Sequence, residues 1–471
     1  MHIGQRIVEG DRLYIDVMDN KPPLIHYIDA LGYWMTPGSA LGIFLLCLLG
    51  ALATVAALYV GLRPVIAAPW IILGCVIGIR AFMGLASTPN LTETWAVPLQ
   101  ALGLAFSAKS ILDGRMGRHA LACGIVTGLL FNLRPNNIGF GIAWGIFALI
   151  SAVYSFRGAM AAIAKFAAGF LVVLAVVCAG MWIRGGFPEF VQQAFLEGAR
   201  YSSDNQWVRH LSVPLAGLHL LWHSRLALGC FLVTLGLIAL LWRKMGVANA
   251  RLVGFSIVWI VIECAMSSIS GYTWAHYFVC WLLPLVVFFI AGAHAVAESW
   301  RWPMLTPLAY GAAALFTAML FITGAIYTWH RYQDPPDPDP ALALARTYVR
   351  PGDLVTTWGD VRRNFWFDLD HKTGTRIFHQ SAYTHPNVYR RAVSIFLDDL
   401  ERNRPRLIIE KRSSLPLFAQ PDPKVPLGDF YHPWQFNGWD DAAILARKQA
   451  LAKDYQAVAD REGFVAFVRK Q

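Results

Sequence analysis

Charged side chains are scarce in this sequence of 471 residues, where Asp, Glu, Lys and Arg make up 15% and hydrophobic residues 56%. That balance excludes a water-soluble globule of this size, because so much apolar surface requires a lipid environment. A formal net charge of +10 raises the question of nucleic-acid binding. However, the basic residues lie mainly in short loops and in the tail, without a basic-aromatic patch. We therefore expect a lipid bilayer as partner, and no nucleic acid.

The sequence also lacks the motifs of several common sites. Its seven cysteines all lie inside apolar runs, so neither a CxxC metal pair nor a disulfide framework is indicated. No G-x-G-x-x-G turn follows the first strand expected in the tail, which disfavours a dinucleotide site there. Repeated halves, which are typical of secondary transporters, are missing as well. No signal peptide precedes residue 37, because residues 1–36 are polar.

Long apolar runs do fill the chain up to about residue 328. A spanning helix needs about 20 mostly apolar residues, and the candidates are 38–62, 67–85, 92–110, 119–135, 138–156, 164–183, 225–243, 252–270, 276–297 and 304–328. The sequence thus predicts an α-helical polytopic membrane protein with about ten transmembrane helices, over residues 38–328.

Basic residues mark alternate loops between these runs. They are Arg63, Lys109, Arg115, Arg118, Arg157, Lys165, Arg243, Lys244, Arg251 and Arg301. Loops rich in Lys and Arg face the cytoplasm. An even number of spans then places both residues 1–37 and the C-terminal region on the opposite, outer side. An interfacial helix is expected at 187–201, within a longer outer segment.

The composition changes after the last apolar run. Residues 329–340 are rich in Pro and Asp, cannot continue a helix and predict a stiff linker. Residues 341–471 predict a small soluble α/β domain. Its expected helices are 341–349, 388–403 and 440–451, and its expected strands are 354–358, 376–378, 406–410, 455–458 and 464–468.

Ionisable residues collect at the predicted outer surface. Asp16, Asp19 and Lys21 lie in an extended loop that two prolines end just before an amphipathic helix, all within residues 1–37. Glu93 falls in the first turn of one helix and His276 at the start of another. Transfer of a sugar from a lipid phosphate requires such a set, because cations or donors hold the leaving phosphate and a base deprotonates the acceptor hydroxyl.

Roles can be assigned to each group, beside simpler alternatives. Lys21, Arg80, Arg134 and His276 are candidates for binding the donor phosphate, and Glu93 for holding a metal or orienting the acceptor. Lys21 and Arg80 equally suit snorkelling to lipid headgroups, and Arg134 is similarly ambiguous. Glu93 suits complementing the helix dipole, and His276 suits an aromatic belt with its neighbour.

One further acid interrupts an apolar run. Glu263 is predicted to lie within a spanning helix, where an ionisable group is costly and usually faces a cavity. Proton or ion coupling would use such a residue, which keeps a transporter in view.

The order of residues in the N-terminal loop resembles a known family. Glu9-Gly10, Leu13-Tyr14, Asp16 and the run 19–23 (Asp-Asn-Lys-Pro-Pro) are similar to the first outer loop of GT-C glycosyltransferases. The bacterial branch with the aminoarabinose transferase of lipid A and the protein mannosyltransferases is the nearest in pattern. Weaker matches are Thr92-Glu93, Arg134-Pro135, the segment 190–201, His276-Tyr277, Pro284, Pro351 to Asp353 and Trp358-Gly359.

The resemblance implies a function. The chain would transfer a sugar from a polyprenyl-phosphate donor to a hydroxyl of a glycan, lipid or protein acceptor. The site would lie at the periplasmic face of a bacterial inner membrane, together with the C-terminal domain. Lys21 matches the family's lysine beside the lipid phosphate. Some relatives bind a divalent metal ion, but the sequence shows no dedicated metal motif.

The sequence departs from the family before this loop. Family members begin with a first span whose outer end carries an acidic motif, Asp-Glu or Asp-x-Gly, that supplies the catalytic aspartate. No such segment precedes residue 37, so the family's general base would have its place upstream of Met1. We therefore expect a chain truncated relative to the family, or a shortened and inactive copy, with Asp16 and Asp19 as the remaining candidates for a base.

Two other classes of function stay open beside the glycosyltransferase. A transporter or flippase of lipid-linked saccharide is the alternative class, and a non-catalytic scaffold is a third. The absence of repeated halves and the collection of polar residues at one face favour the enzyme over the transporter.

Overall fold

The helices of this protein account for most of its structure. The computed structural model describes residues 1–86, 90–203, 207–223, 225–300, 304–333, 339–359, 361–362, 365–378, 386–413, 417–418 and 442–470. The α-helices are α1 His2–Val8, α2 Leu24–Met35, α3 Leu41–Leu62, α4 Ala68–Leu85, α5 Thr92–Asp113, α6 Ala120–Leu133, α7 Gly139–Ile150, α8 Phe156–Ile183, α9 Phe187–Phe190, α10 Gly198–Ser203, α11 Trp207–His223, α12 Arg225–Leu241, α13 Val247–Ser268, α14 Leu282–Trp300, α15 Leu305–Gln333, α16 Pro340–Tyr348, α17 Phe365–Leu369, α18 Pro386–Asn403 and α19 Ala442–Ala452.

Shorter helical turns and strands complete the described elements. The 3₁₀ turns are Pro135–Asn137, Ser151–Val153, Trp242–Lys244 and Ala275–Trp281, and Val191–Glu197 is a π-helix. The strands are β1 Val355–Trp358, β2 Leu407–Lys411, β3 Tyr455–Arg461 and β4 Phe464–Arg469.

Seven helical segments of the described chain are long and apolar enough to cross a membrane. They are Leu41–Leu62, Ala68–Leu85, Thr92–Asp113, Phe156–Ile183, Val247–Ser268, Ala275–Ser299 and Leu305–His330. α6 and α7 are apolar but shorter, and α12 has 17 residues. All ten predicted runs are therefore helical, whereas the count of ten spans stays a prediction.

The helix ends gather into two groups. At one end, Arg251 near the start of α13 donates to the carbonyl of Leu112 near the end of α5, 2.8 Å away. Its guanidinium also lies 5.8 Å from the ring of Tyr154, which precedes α8. The basic residues of the sequence predict these loops on the cytoplasmic side. The opposite end, where α5 begins and α6 ends, is called the polar end below.

Helix α11 was not expected from the sequence, which predicted a single interfacial helix in this stretch. The segment 187–203 is indeed helical, through α9, the π-helix and α10. α11 follows it and reaches the core, with Val213 fully buried and Leu221 almost so. Pro214 and several polar residues interrupt the apolar pattern of α11 in the sequence. The helix nevertheless packs against Phe278 at Gly217.

Helices α6 and α8 approach each other closely through glycine. A Cβ added at Gly124 would stand 1.9 Å from the Phe166 carbonyl oxygen, and one at Gly169 would stand 2.2 Å from the Leu121 carbonyl oxygen. Small residues allow such backbone contact between membrane helices, where dispersion rather than the hydrophobic effect holds helices together. The pairing of α6 with α8 therefore depends on these glycines.

The C-terminal domain has a four-stranded sheet in the order β1-β2-β4-β3. β1 pairs with β2 in parallel, and the other two pairs are antiparallel. Leu407 and Ile409 face the cluster of α16 and α17, whereas Ile408 faces that of α18 and α19. Helices thus cover both faces, as buried parallel strands require. The expected α/β character of the tail is confirmed, with its helices and four of its five strands.

Two expectations for the tail need correction. Residues 376–378 form no strand, because the backbone of Arg376 pairs with Met18 of the N-terminal loop instead of with a sheet neighbour. The linker begins later than residue 329, because α15 continues to Gln333. Residues 334–338 lie outside the described residues, as do 440 and 441 of the expected last helix.

We expect Gly124→Ala to destabilise the protein, because the new methyl group meets backbone that cannot rotate away. Overpacking of this kind costs about 1–3 kcal/mol of unfolding free energy. Thermal unfolding in detergent, followed by intrinsic fluorescence, measures it. Gly145→Ala is the matched control, since a Cβ there meets no atom within 4 Å. A Gly124→Ala melting temperature equal to that of the control would contradict close α6–α8 packing.

Candidate functional site

The polar end is built around an ion pair between a buried acid and a largely buried arginine. Glu93, in the first turn of α5, pairs with Arg134, which directly follows α6. The Thr92 hydroxyl donates to Glu93 at 2.7 Å. The Arg134 guanidinium lies 4.0 Å from the ring centroid of Tyr277, and His276 is near enough to act electrostatically on Glu93. The structure therefore brings three of the predicted site residues together: Glu93, Arg134 and His276.

A second group of charges lies in the N-terminal loop. The Lys21 ammonium is 3.1 Å and 3.3 Å from the two carboxylate oxygens of Asp19. His26 Nε2 is 3.6 Å from the same carboxylate. The Lys21 side chain keeps 43% of its surface exposed, against 15% for Asp19. Lys21 is therefore a half-exposed cation whose orientation is set by a more buried acid.

Burial decides the charge of the histidine in this group. His26 is 3% exposed, and this burial lowers its pKa from 6.5 to about 4, although Asp19 acts in the opposite direction. The imidazole is neutral at pH 7 in consequence. Lys21 is then the only cation of the trio.

The backbone around Lys21 is held by its own loop. We call residues 13–21 the lysine loop. The Tyr14 hydroxyl donates to the Lys21 carbonyl at 2.6 Å, and the Tyr14 amide donates to the Val17 carbonyl at 2.8 Å. Tyr14 has a φ of +72°, a conformation that is costly for a bulky residue. Its side chain is almost fully buried, which explains how the turn keeps that conformation.

Hydrogen bonds join α2, the helix that follows the lysine loop, to the start of α5 at the polar end. Asp29, on α2, accepts a hydrogen bond of 2.7 Å from the Asn90 side chain. Asn90 in turn accepts one of 2.8 Å from the indole of Trp95. Asp29 also acts electrostatically on His26. α2 and Asn90 thus connect the two groups of charges, and we call the connected residues the polar surface. Residues 87–89, directly before Asn90, lie outside the described residues.

Met1 borders this surface too, which the sequence did not indicate. Its amino group donates to the other carboxylate oxygen of Asp29 at 2.7 Å and is one fifth exposed. The general base that the family resemblance implies stays a prediction.

Two predicted site residues are not part of this surface. Asp16 pairs with Arg12 at 3.0 Å on the exterior of the loop, and the hydrogen bond from Arg12 lowers the pKa of that carboxyl. Such an acid is a poor base. Arg80 is exposed on α4 and makes no ion pair or hydrogen bond within the described parts of the chain.

Glu263, the acid that the sequence predicts inside a spanning helix, is hydrogen-bonded within the helix bundle. It is 1% exposed and accepts hydrogen bonds from Gln100 at 2.8 Å and from Trp259 at 2.9 Å. Gly139 packs against its carboxylate. The acid is thus held by donors of the helix bundle, and its use for ion or proton coupling stays a prediction.

The sequence assigned no site role to three residues that link the parts of the site, Asp29, Asn90 and Tyr277. No motif indicated the partners of these residues. Asp29 had a usable signal, since it lies four residues after Ile25 on the buried face of α2. The contacts of Asn90 and Tyr277 depend on how distant helices meet.

The polar side chains of the candidate site do not form a recognisable metal site within the described residues. Over the residues that the structure describes, no three His, Cys, Asp or Glu side chains converge as ligands of a metal ion. Divalent ions prefer several oxygen ligands, whereas Glu93 and Asp19 are each engaged by a cation. The residues therefore do not fit a metal ion bound by the protein alone.

Comparison with known proteins gives no identification. A scan against models of protein families finds no match for this chain, and a search of curated proteins finds none either. The likeness to GT-C glycosyltransferases therefore rests on the sequence motifs alone.

Removing Glu93 should strongly destabilise the protein. Glu93→Ala leaves the largely buried Arg134 charge without its partner, and breaking a buried pair typically costs about 3–5 kcal/mol. The double variant Glu93→Gln, Arg134→Gln should lose less, because no lone charge remains. Melting temperatures in detergent measure both. Asp16→Ala, in the exposed pair with Arg12, is the control and should change little. Equal melting temperatures for Glu93→Ala and Asp16→Ala would contradict the pair's importance.

Stability should fall as the pH is lowered from about 6.5 toward 4. Over that range His26 binds a proton in the unfolded chain but not in the folded one, so unfolding is favoured, by up to about 3 kcal/mol for such a shift. His26→Gln should flatten this dependence. Melting temperatures at pH 7 and pH 4.5 test it, with the exposed His330→Gln as control. A slope that is the same in both variants would refute the assignment.

Proposed function

We propose that the chain is a membrane glycosyltransferase that takes a sugar from a polyprenyl-phosphate donor and transfers it to an acceptor hydroxyl. The observation that carries this proposal is the link between Asp29 and Asn90. Through it, a half-exposed lysine and a largely buried Glu–Arg–His group share one polar surface at the end of an apolar helix bundle. A bundle built for solute passage would carry polar groups through its length rather than at one end.

The location of Lys21 suits a lipid phosphate. The next element after the loop is α2, which exposes Leu31, Trp34 and Met35 on one side and buries Ile25 and Asp29 on the other. Such a helix lies at the membrane surface, at the depth of the lipid headgroups. It packs against the start of α3, where the backbones of the two helices are in contact. A polyprenyl tail would run along α3 while its phosphate meets the lysine ammonium.

The residues divide into two roles. Lys21 binds the donor phosphate, and Asp19 is the candidate base because it is the only carboxylate beside that lysine within the described residues. When the ammonium binds phosphate, its hold on Asp19 weakens, which makes the carboxylate more basic. His276 and the Glu93–Arg134 pair form the far side of the surface, where the acceptor hydroxyl is oriented. Arg134, already neutralised by Glu93, is a weaker phosphate ligand than Lys21.

The cellular setting belongs to the same proposal. The lysine loop contacts the C-terminal domain, and the positive-inside pattern places the opposite helix ends in the cytoplasm. A bacterial inner membrane with the domain on its periplasmic side accommodates both observations. The acceptor is a glycan, a lipid or a protein.

We expect Lys21→Ala to lower the rate of sugar transfer about 100-fold or more, because a preorganised charge at a leaving group is usually worth that much. Lys21→Arg should retain part of the activity, since it keeps the charge with a different geometry. Membranes that contain the full chain are incubated with a radiolabelled polyprenyl-phosphate sugar, and label in the acceptor fraction is counted.

Lys109→Ala is the matched control, because Lys109 is exposed near the far end of α5. Transfer that survives Lys21→Ala unchanged would remove Lys21 from the site. Movement of the labelled lipid across the membrane without transfer would favour a flippase instead.

A further inference from the structure

We propose that the C-terminal domain and the π-helix Val191–Glu197 together clamp the lysine loop, so that Met18, Gln193 and Asp399 are positioning residues for Lys21. That the bound ligand is a lipid phosphate rests on the proposed function. The clamp itself rests only on contacts between three segments that are far apart in the sequence.

The first contact ties the loop to the C-terminal domain. The Met18 amide donates to the Arg376 carbonyl at 2.9 Å. The Met18 side chain is 3% exposed and belongs to the core of the domain, with Trp358 and Phe396. A residue of the N-terminal loop therefore completes the hydrophobic core of a domain more than 300 residues later in the sequence. Asp19, the partner of Lys21, is the next residue.

The domain holds its side of this contact rigidly. Asp399, on α18, accepts the Arg376 amide at 2.8 Å and the Arg376 guanidinium at 2.9 Å. Asp399 is 1% exposed. The Arg376 carbonyl accepts the Met18 amide. Its position is fixed because the backbone and the side chain of Arg376 are both bound to the buried Asp399 carboxylate.

The second contact reaches the loop from the π-helix. The Gln193 side chain donates to the Tyr14 carbonyl at 2.7 Å and is 1% exposed. Tyr14 holds the Lys21 carbonyl through its own hydroxyl, and Phe190 packs on its ring with centroids 5.5 Å apart. π-helices are rare and are frequent at functional sites. The wider turn brings Gln193 against the loop without ending the helix.

The two contacts are themselves connected, which closes a ring. Glu197 at the end of the π-helix pairs with Arg391 of α18, and its side chain is 3% exposed. Arg391 lies on the same helix as Asp399. The lysine loop, the π-helix and the C-terminal domain therefore each contact the other two. Loosening either contact of the loop leaves it held from one side only.

Such a clamp affects catalysis through position. An error of about 1 Å in a reacting or binding group costs about 100-fold in rate, and Lys21 sits on a loop without regular secondary structure. The contacts at residues 14 and 18 fix both ends of the turn that precedes Lys21, and Tyr14 also binds the Lys21 carbonyl. The ammonium of Lys21 is thereby kept in one position. We therefore expect weaker phosphate binding when the clamp is opened, even though none of its residues touches phosphate.

Hydrogen–deuterium exchange of the full chain in detergent tests the clamp without any substrate. Gln193→Ala and Asp399→Ala should speed amide exchange in residues 13–21 about 10-fold or more, because those amides lose protection when the loop opens. Leu196→Ala, exposed on the same π-helix, and Asp398→Ala, on the solvent side of α18, are matched controls and should leave exchange unchanged. Unchanged exchange in both clamp variants would overturn the proposal.

Binding of a short-chain polyprenyl phosphate to the same variants tests the consequence. We expect the dissociation constant to rise about 10- to 100-fold in Gln193→Ala and Asp399→Ala, and to stay constant in the controls. Faster exchange with unchanged affinity would overturn the positioning role. A wild-type chain that binds no polyprenyl phosphate would remove the proposed function, while the exchange data would still decide the clamp.

Loss of folding must be separated from loss of the clamp. Asp399→Asn keeps an oxygen acceptor for the Arg376 amide and should give intermediate exchange and intermediate affinity. A monodisperse elution profile identifies the variants that remain folded. Full protection of residues 13–21 in folded Asp399→Asn and folded Gln193→Ala alike would reject the clamp.

Discussion

The ion pair between Glu93 and Arg134 is the interaction on which the polar end depends. A charge in an apolar bundle is tolerated only beside an opposite charge and enough hydrogen-bond donors. Glu93 meets that condition through Arg134 and Thr92, and Arg134 through Glu93 and the face of Tyr277. Because these groups come from the start of α5, the end of α6 and the turn before α14, satisfying them also aligns three helix ends.

The remaining polar contacts extend outward from this aligned end. Asn90, three residues before Glu93, connects it to Asp29 of α2. α2 carries the lysine loop at its start, so this loop and a largely buried ion pair are held in one arrangement. The C-terminal domain then joins from the far side through Met18. The charges that stay accessible, above all Lys21, are therefore displayed on a surface whose supports are almost wholly buried.

The division between rigid support and exposed charge is consistent with a transferase working on lipid phosphates. The enclosed Glu263 supports the helix core, since Gln100 and Trp259 satisfy its carboxylate. Close glycine contacts between α6 and α8 serve the same core. The remaining charged groups lie at one end of the helices, beside the C-terminal domain. The pairing of Asp16 with Arg12 removes that acid from consideration and leaves Asp19.

Much of the fold follows from the sequence by itself, because apolar runs must be helical in lipid and alternating strands and helices mark the tail. Charged residues beside such runs could likewise be named, Lys21, Glu93, Arg134 and His276 among them. The sequence could not show that Arg134 belongs to Glu93, or that Asp29 and Asn90 connect the two groups, since those distances depend on helix packing. The sequence also did not predict α11, because polar residues interrupt the apolar pattern of this helix. Only the tertiary structure decided which charges are neutralised and which remain available, because burial and partners, not residue type, set the cost of a charge.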